Sequence, residues 1–263
     1  MNKPSDKFSN SIIQVCNLTT GYGDLIIHKN ISFNIEKGEI VAICGGSGCG
    51  KSTLLRHMIG LETPKSGDIL IDNESIVNAN QKEKLKILTK TGVLFQSGAL
   101  FGSLTLAENI KLPIKEYTNL PSETIEILVQ LKLEMVNLSG FENYLPSEIS
   151  GGMKKRAGLA RAIALDPMIL FFDEPSAGLD PVSSADLDNL ILQINKSLGA
   201  TIVIVTHELA SIFEVAERVI MLDKETKSII SDGTPEDLKR DKTNRQTYDF
   251  FNRIPSIIER SND

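Results

Sequence analysis

The chain predicts an α/β fold: a mainly parallel sheet with helices on both faces. Short apolar runs of buried-strand length alternate with stretches of helical spacing through most of the 263 residues. A glycine cluster at 45–50 joins one such run to the helix after it. Between 97 and 149 helical patterns interrupt the alternation, and strand and helix then resume. Buried strands alternating with helices imply parallel pairing covered on both sides.

Residues 1–10 are polar and expected to fray. Segments 12–15 and 31–35 read as short strands; Ile31, Phe33 and Ile35 alternate with Ser32 and Asn34, the period of a half-buried strand. Segment 39–44 is a continuous apolar strand, 51–59 has helical spacing, and Gly60 stops that helix. A strand at 67–71 closes on the turn-forming pair Asp72-Asn73. A charged, exposed helix at 82–90 leads to a short strand at 93–95. Within 97–149, segments 104–110 and 123–133 are helical; this stretch holds seven acids against three bases and reads as an inserted helical subdomain. A helix begins near Met153, followed by a strand at 169–172, a helix at 183–198, a strand at 201–205, a helix at 209–215 and a strand at 219–222. Thr234, Pro235, Glu236 and Asp237 form a helix start: an N-cap, proline first, then acids at the positive end. The tail from 240 is polar apart from Tyr248, Phe250, Phe251, Ile254, Ile257 and Ile258, placed to pack on its own core, cross to a partner chain or bind an accessory protein. The expected division is a core of 10–96 and 157–233, a helical subdomain of 97–156 and a C-terminal tail of 234–263.

Composition narrows the function. Lys and Arg number 28 against 34 Asp and Glu, a net charge of −6, which argues against a nucleic-acid binder because phosphate neutralisation needs a basic surplus. Cys16, Cys44 and Cys49 make no disulfide framework and no CxxC pair, which fits a reducing compartment. The polar opening segment does not resemble a signal peptide, and no apolar run approaches the roughly 20 residues that span a bilayer. Work at a membrane would therefore fall to other chains for the spanning.

The strongest motif is Gly45-Gly46-Ser47-Gly48-Cys49-Gly50-Lys51-Ser52, a match to G-x-x-x-x-G-K-[ST] between an apolar strand and a helix. Glycines let successive N–H groups curl around an anion, and the helix N-terminus adds partial positive charge. Lys51 would reach the β- and γ-phosphates, Ser52 would ligate Mg2+, and Thr53 would contact the α-phosphate region. A dinucleotide-binding G-x-G-x-x-G starting at Gly46 fails because position 51 is lysine. The apolar run ending in Asp173 and Glu174 is a second signal. A phosphate-loop enzyme needs a strand-end aspartate in the Mg2+ shell, and Glu174 then stands where an attacking water must sit.

Further elements fall at matching distances: Gln96 after the strand at 93–95, Ser150-Gly151-Gly152 before a helix, Asp180 in the segment 176–180 after Glu174, and His207 after the strand at 201–205. With the phosphate loop, they resemble the nucleotide-binding subunit of ABC transporters over about 12–232. That resemblance implies a P-loop NTPase (RecA-like) core with a mainly parallel sheet, an N-terminal antiparallel β subdomain and an inserted α-helical subdomain. It implies ATP hydrolysis with Mg2+. By resemblance, Tyr22 stacks on adenine, although such a tyrosine also serves as packing. Gly45 to Thr53 look like the Walker A loop, Gln96 the glutamine that senses Mg2+ and the γ-phosphate, and Asp173 and Glu174 the Walker B aspartate and catalytic glutamate. Ser150, Gly151 and Gly152 look like the signature that meets the ATP of the opposite protomer, Asp180 the dimer-interface aspartate and His207 the switch histidine.

The signature reads Ile149-Ser150-Gly151-Gly152-Met153, with Met153 where glutamine is common; the anion-binding serine and glycines remain. Lys154, Lys155 and Arg156 follow, as phosphate or interface contacts or as a solvated basic face. Gly-Gly-Met together with the segment 95–101, and local strings at 145–148 and 250–253, resemble the ATPase of Mla-type, MCE-associated phospholipid transporters. The resemblance implies a second copy of the chain packed head to tail, a transmembrane permease, an MCE lipid-binding protein and a STAS-domain accessory protein, at the cytoplasmic face of the inner membrane, with no nucleic acid. Leu100 and Phe101 are placed either to receive a permease helix or to fill the insertion's own core. ATPases for lipoprotein release or solute uptake, and non-transport ABC-type ATPases, are the alternatives.

Overall fold

Strand β1 (Ser11–Tyr22) and strand β2 (Leu25–Glu36) form a long antiparallel hairpin, three times the length that apolar spacing predicts for β1. Pairing supplies what local pattern lacks: β1 shifts register at Val15/Leu18 and again at Leu18/Thr20, and Asn17 takes a left-handed φ of 48°, so no alternation runs its full length. The computed structural model describes residues 10–255. The opening residues 1–9 expected to fray, and Ile257 and Ile258 of the tail, lie outside the described residues.

After the hairpin come β3 (Ile40–Gly45), α1 (Lys51–Met58), β4 (Ser66–Ile71), β5 (Glu74–Ser75), α2 (Gln81–Leu88) and β6 (Thr91–Leu94). The insertion contributes α3 (Leu106–Tyr117) and α4 (Ser122–Met135), then α5 (Gly151–Ala162). The chain continues through β7 (Ile169–Asp173), α6 (Pro181–Leu198), β8 (Thr201–Val205), α7 (Leu209–Val215), β9 (Arg218–Leu222), β10 (Ile229–Gly233), α8 (Pro235–Arg240) and α9 (Arg245–Phe251). A four-stranded antiparallel sheet has the order β2-β1-β4-β5, and a six-stranded sheet the order β10-β9-β3-β8-β7-β6. In the larger sheet only the β10 edge is antiparallel.

The parallel strands are buried on both faces, as their continuous apolar runs require. Leu170 and Phe172 of β7 join one core with Ile202 and Ile204 of β8 and the helices of the insertion. Ile169 and Phe171 join a second core with Val203, Val205, Leu54, Leu55 and the hairpin. A third, smaller core takes the C-terminal part: Leu238 and Phe251 are buried there, and Phe251 meets Phe213 edge-on at 6.0 Å. The described part of the tail thus packs on its own chain. Strand β10 and helix α9, absent from the sequence reading, are defined by that docking. The expected core boundary at 156/157 falls inside α5, a continuous helix, so the insertion and the core share that rod.

Helix α5 packs closely against β6, with glycine on each side of the contact. A Cβ on Gly92 would lie 2.1 Å from the carbonyl oxygen of Ala162; one on Gly158 would lie 2.8 Å from Leu94 Cδ1 and 2.9 Å from the carbonyl oxygen of Gly98. Lys132 of α4 is buried and paired with Asp166 just before β7, a second tie between insertion and core. Gly92→Ala is expected to destabilise the fold by about 1–3 kcal/mol through overpacking, measured as a lower urea midpoint at unchanged slope.

Candidate active site

Strand register gathers the site. Asp173 of β7 pairs with Val205 of β8, Ile43 of β3 pairs with the same Val205, and Leu94 of β6 pairs with Phe172. The segments carrying the phosphate loop, Gln96, Asp173-Glu174 and Thr206-His207 therefore leave the sheet together at its carboxyl edge, where open α/β sheets bind ligands.

Two glycines make the phosphate loop possible. Gly45 has φ 144°, and its Cβ would meet the Leu222 carbonyl oxygen at 2.3 Å; Gly50 has φ 95°, and its Cβ would meet the Ile27 side chain at 2.4 Å. Gly46, Ser47 and Gly48 are exposed, while the Cys49 side chain is buried, so the latter offers only backbone to the loop. Gly50 caps α1 without a side-chain acceptor, leaving the first-turn N–H groups of Lys51, Ser52 and Thr53 for an anion. Lys51 Nζ donates to the carbonyls of Gly45 at 3.0 Å and Gly46 at 3.4 Å, which holds the ammonium across the loop.

His28 belongs to this site and escaped the sequence reading. It is fully buried, its Nδ1 lies 2.8 Å from Thr20 Oγ1, and its Nε2 lies 3.0 Å from the Cys49 carbonyl oxygen. A carbonyl only accepts, so Nε2 carries the proton and Nδ1 accepts from threonine. The histidine fastens the hairpin to the phosphate loop. Burial lowers its pKa to about 4 against the rise that the Cys49 bond gives. Its distance in sequence from the loop, with no motif around it, hid it.

The carboxylates are differently placed. Asp173 Oδ1 accepts from Ser52 Oγ at 3.2 Å; burial raises its pKa, and the Ser52 bond works against that rise. Glu174 is a non-glycine residue in left-handed conformation, φ 47°. Such a backbone costs about 1–3 kcal/mol and persists only where neighbours over-determine it. Here they do: the Glu174 N–H donates to Val205 O at 2.8 Å, and its carboxylate accepts from His207 Nδ1 at 2.8 Å and Thr206 Oγ1 at 3.2 Å.

Gln96 is exposed just beyond β6. Tyr22, at the hairpin tip, is 46 % exposed, and its hydroxyl donates to Glu62 at 2.9 Å. Ser150 and Asp180 are N-caps. Ser150 Oγ accepts from the Met153 N–H, and Asp180 accepts from Val182 and Ser183, bonds led by Ser183 that hold its carboxyl below the usual range. A Cβ on Gly151 would touch nothing within 4 Å, and one on Gly152 would reach only Leu179 and Ser183, 3.9 Å away. The turn of Ser150–Gly152 thus adjoins the Asp180 loop on its own chain and not the phosphate loop. Met153 packs partly buried against the helical core. The structure also divides the pair left open by sequence: Leu100 packs on that core, while Phe101 is exposed beneath the Arg161 guanidinium.

With its pKa depressed from 6.5 to about 4, His28 stays neutral in the fold while the unfolded chain takes up a proton. Stability from this group is complete above pH 6.5 and falls by up to about 1.4 kcal/mol per pH unit on acidification toward pH 4. The difference in unfolding free energy between wild type and His28→Gln, measured from pH 7.5 to 4.5, should therefore change in the mutant's favour as pH falls. A constant difference would contradict a buried neutral histidine.

Comparison with known proteins shows the family. The sequence pattern described as ABC transporter matches residues 28–177. The chain is similar to an intermembrane phospholipid transport system ATP-binding protein, MlaF, of Haemophilus influenzae, 41 % identical over 87 % of this chain and 86 % of that one. It is also similar to a probable ribonucleotide transport ATP-binding protein, mkl, of Mycobacterium leprae, 46 % identical over 80 % of this chain and 60 % of the longer relative. Among solved structures it resembles the dimeric bacterial ABC transporter cassette MJ0796, with a TM-score of 0.77 and 33 % identity over 84 % of this chain and 98 % of that one. The chain belongs to the ABC transporter family, as one of its nucleotide-binding, ATP-hydrolysing cassettes.

Proposed function

We propose that this ATPase powers phospholipid transport across or between bacterial envelope membranes, as a head-to-tail pair in which ATP lies between the phosphate loop of one copy and Ser150–Gly152 of the other. The observation that carries the hydrolytic part is the Glu174 turn: a strained carboxylate fixed by Thr206 and His207 one residue from the Ser52–Asp173 contact. Support for the phospholipid comes from the Haemophilus relative's name and from the Gly-Gly-Met signature with the 95–101 segment.

The N–H groups of the phosphate loop and the Lys51 ammonium bind and orient the β- and γ-phosphates of ATP. Glu174 accepts a proton from the water that attacks the γ-phosphorus as the bond to the β,γ-bridging oxygen breaks, giving ADP and phosphate. His207 and Thr206 keep that carboxylate aimed, and Gln96 reports the γ-phosphate toward the insertion. Ser52 and Asp173 suit Mg2+: their hard oxygens already lie 3.2 Å apart, and partial burial, which raises the Asp173 pKa, is a cost that a cation would relieve. Among the described residues no group of three or more His, Cys, Asp or Glu is placed to hold a metal ion. When bound, Mg2+ would neutralise charge developing on the phosphate oxygens.

ATP engages both copies through its γ-phosphate and ADP does not, so turnover alternates a closed and an open pair. The permease contact fits a groove of about 550 Å³ lined by Leu85, Leu88, Phe101, Leu112, Tyr117 and Arg161. Among the described residues no helix is long and apolar enough to cross a membrane, so the reading includes a permease that anchors the pair to the cytoplasmic face of the inner membrane. An MCE lipid-binding protein and a STAS-domain protein complete the assembly. The mycobacterial relative's name favours a second cargo, ribonucleotides.

Glu174→Gln should lower ATP turnover by about 100-fold or more while ATP binding persists, read by phosphate release and equilibrium binding; Lys51→Ala should weaken binding itself. Purification of the chain with its membrane partners, followed by reconstitution into vesicles, tests the cargo. ATP-dependent movement of labelled phospholipid is expected, and movement of a ribonucleotide instead would replace the phospholipid reading.

A further inference from the structure

Lys155 lies on α5, five positions beyond Ser150, and is only 6 % exposed. Its Nζ donates to the backbone carbonyl of Glu174 at 3.3 Å. Among the described residues it forms no ion pair within 4 Å, although the carboxylates of Asp173 and Glu174 are near enough to act on it through space. Burying an ammonium without a direct counter-ion is costly. Burial accordingly lowers the lysine pKa, and the two carboxylates push it back up.

The position of the contact matters. Glu174 is the left-handed residue, and its backbone carbonyl is held from α5 by this lysine. The rest of α5 is keyed to the segment after Gln96. Gly158 brings the helix against the Gly98 carbonyl, and Arg161 donates to the carbonyls of Ala99 at 2.7 Å and Gly98 at 3.1 Å. The twelve-residue helix therefore carries an open N-terminal turn at Ser150–Gly152 and is tied at two further points: to the Glu174 peptide by Lys155, and to the segment after Gln96 by Arg161.

We propose that Lys155 is a positioning residue that ties the N-terminal turn of α5 to the glutamate of its own chain, so that engagement of the partner's nucleotide by Ser150–Gly152 sets the Glu174 turn for hydrolysis. Each copy thereby senses the ATP bound to the other before it hydrolyses its own. The coupling rests on the head-to-tail pair proposed above. Lys155 acts through the Glu174 carbonyl.

The test compares wild type, Lys155→Met and Lys155→Arg, each as full chain purified with its membrane partners. Lys155→Met should reduce kcat by about 10- to 100-fold through misplacement of Glu174, leave the KM for ATP within about twofold, and abolish sigmoidal dependence on ATP concentration. Its unfolding midpoint should stay level or rise, because an apolar side chain replaces a buried charge. Lys155→Arg, which keeps a donor within reach of the carbonyl, should recover most of the turnover. Wild-type kcat in Lys155→Met, or a kcat loss matched by a fall in folded protein in both variants, overturns the proposal. Glu174→Gln separates the two readings: with ATP it should elute as a dimer. If it stays monomeric the pair itself is wrong and the coupling falls with it; if it dimerises while Lys155→Met hydrolyses normally, only the coupling is lost.

Discussion

The parallel pairing of β3, β8 and β7 is the constraint on which the site depends. Val205 is level with both Ile43 and Asp173, so the carboxyl ends of three strands far apart in sequence coincide. A slip of one residue would turn every side chain of the slipped strand to the other face. Phe171 and Phe172, which belong to opposite cores, forbid it. The same apolar packing that stabilises the sheet therefore fixes the distance between Ser52 and Asp173.

On that rigid edge the chain places backbone that would be unfavourable elsewhere. Gly45 and Gly50 take left-handed conformations against carbonyl oxygen and side chain, and Glu174 takes one despite its Cβ. The surroundings hold each: the Val205 carbonyl and Lys155 hold the glutamate peptide, and His28 holds the loop carbonyl at Cys49. A buried polar link extends this support outward. Ser211 at the start of α7 donates to Asp188 of α6 at 2.8 Å and lies 3.5 Å from Ser176, in the loop that leads to Asp180. Burial raises the Asp188 pKa to about 6, with the Ser211 bond opposing.

Helix α5 relates this edge to the insertion. Gly92 lets strand β6 approach the Ala162 carbonyl of the helix, and Gly158 lets the helix approach the Gly98 carbonyl and the Leu94 side chain, close packing that leaves little room for displacement. A shift of the insertion is therefore carried to β6 and the 98–99 segment. The exposed Phe101, beneath Arg161, lines the groove proposed for the permease. In the proposed assembly, the partner copy's nucleotide and the permease would bear on opposite ends of this helix.

The amino-acid sequence alone determined the phosphate loop, the Asp173-Glu174 strand end, most helices and the central strands. Each is a local pattern whose chemistry is set by neighbours within a few residues: a glycine run before Lys51, an apolar run before two carboxylates, a Thr-Pro start at α8. Tertiary structure decided the rest. The full length of β1 and β2, strand β10 and helix α9 exist because a distant segment supplies hydrogen bonds or an apolar seat. His28, a lone histidine in a strand, meets the phosphate loop only after the hairpin folds back on it. Lys155, one of three adjacent basic residues, differs from Lys154 and Arg156 only in which way α5 turns it once Gly158 has docked. Hydrogen bonds and burial across such separations depend on how the elements pack, and no window of the sequence carries that information.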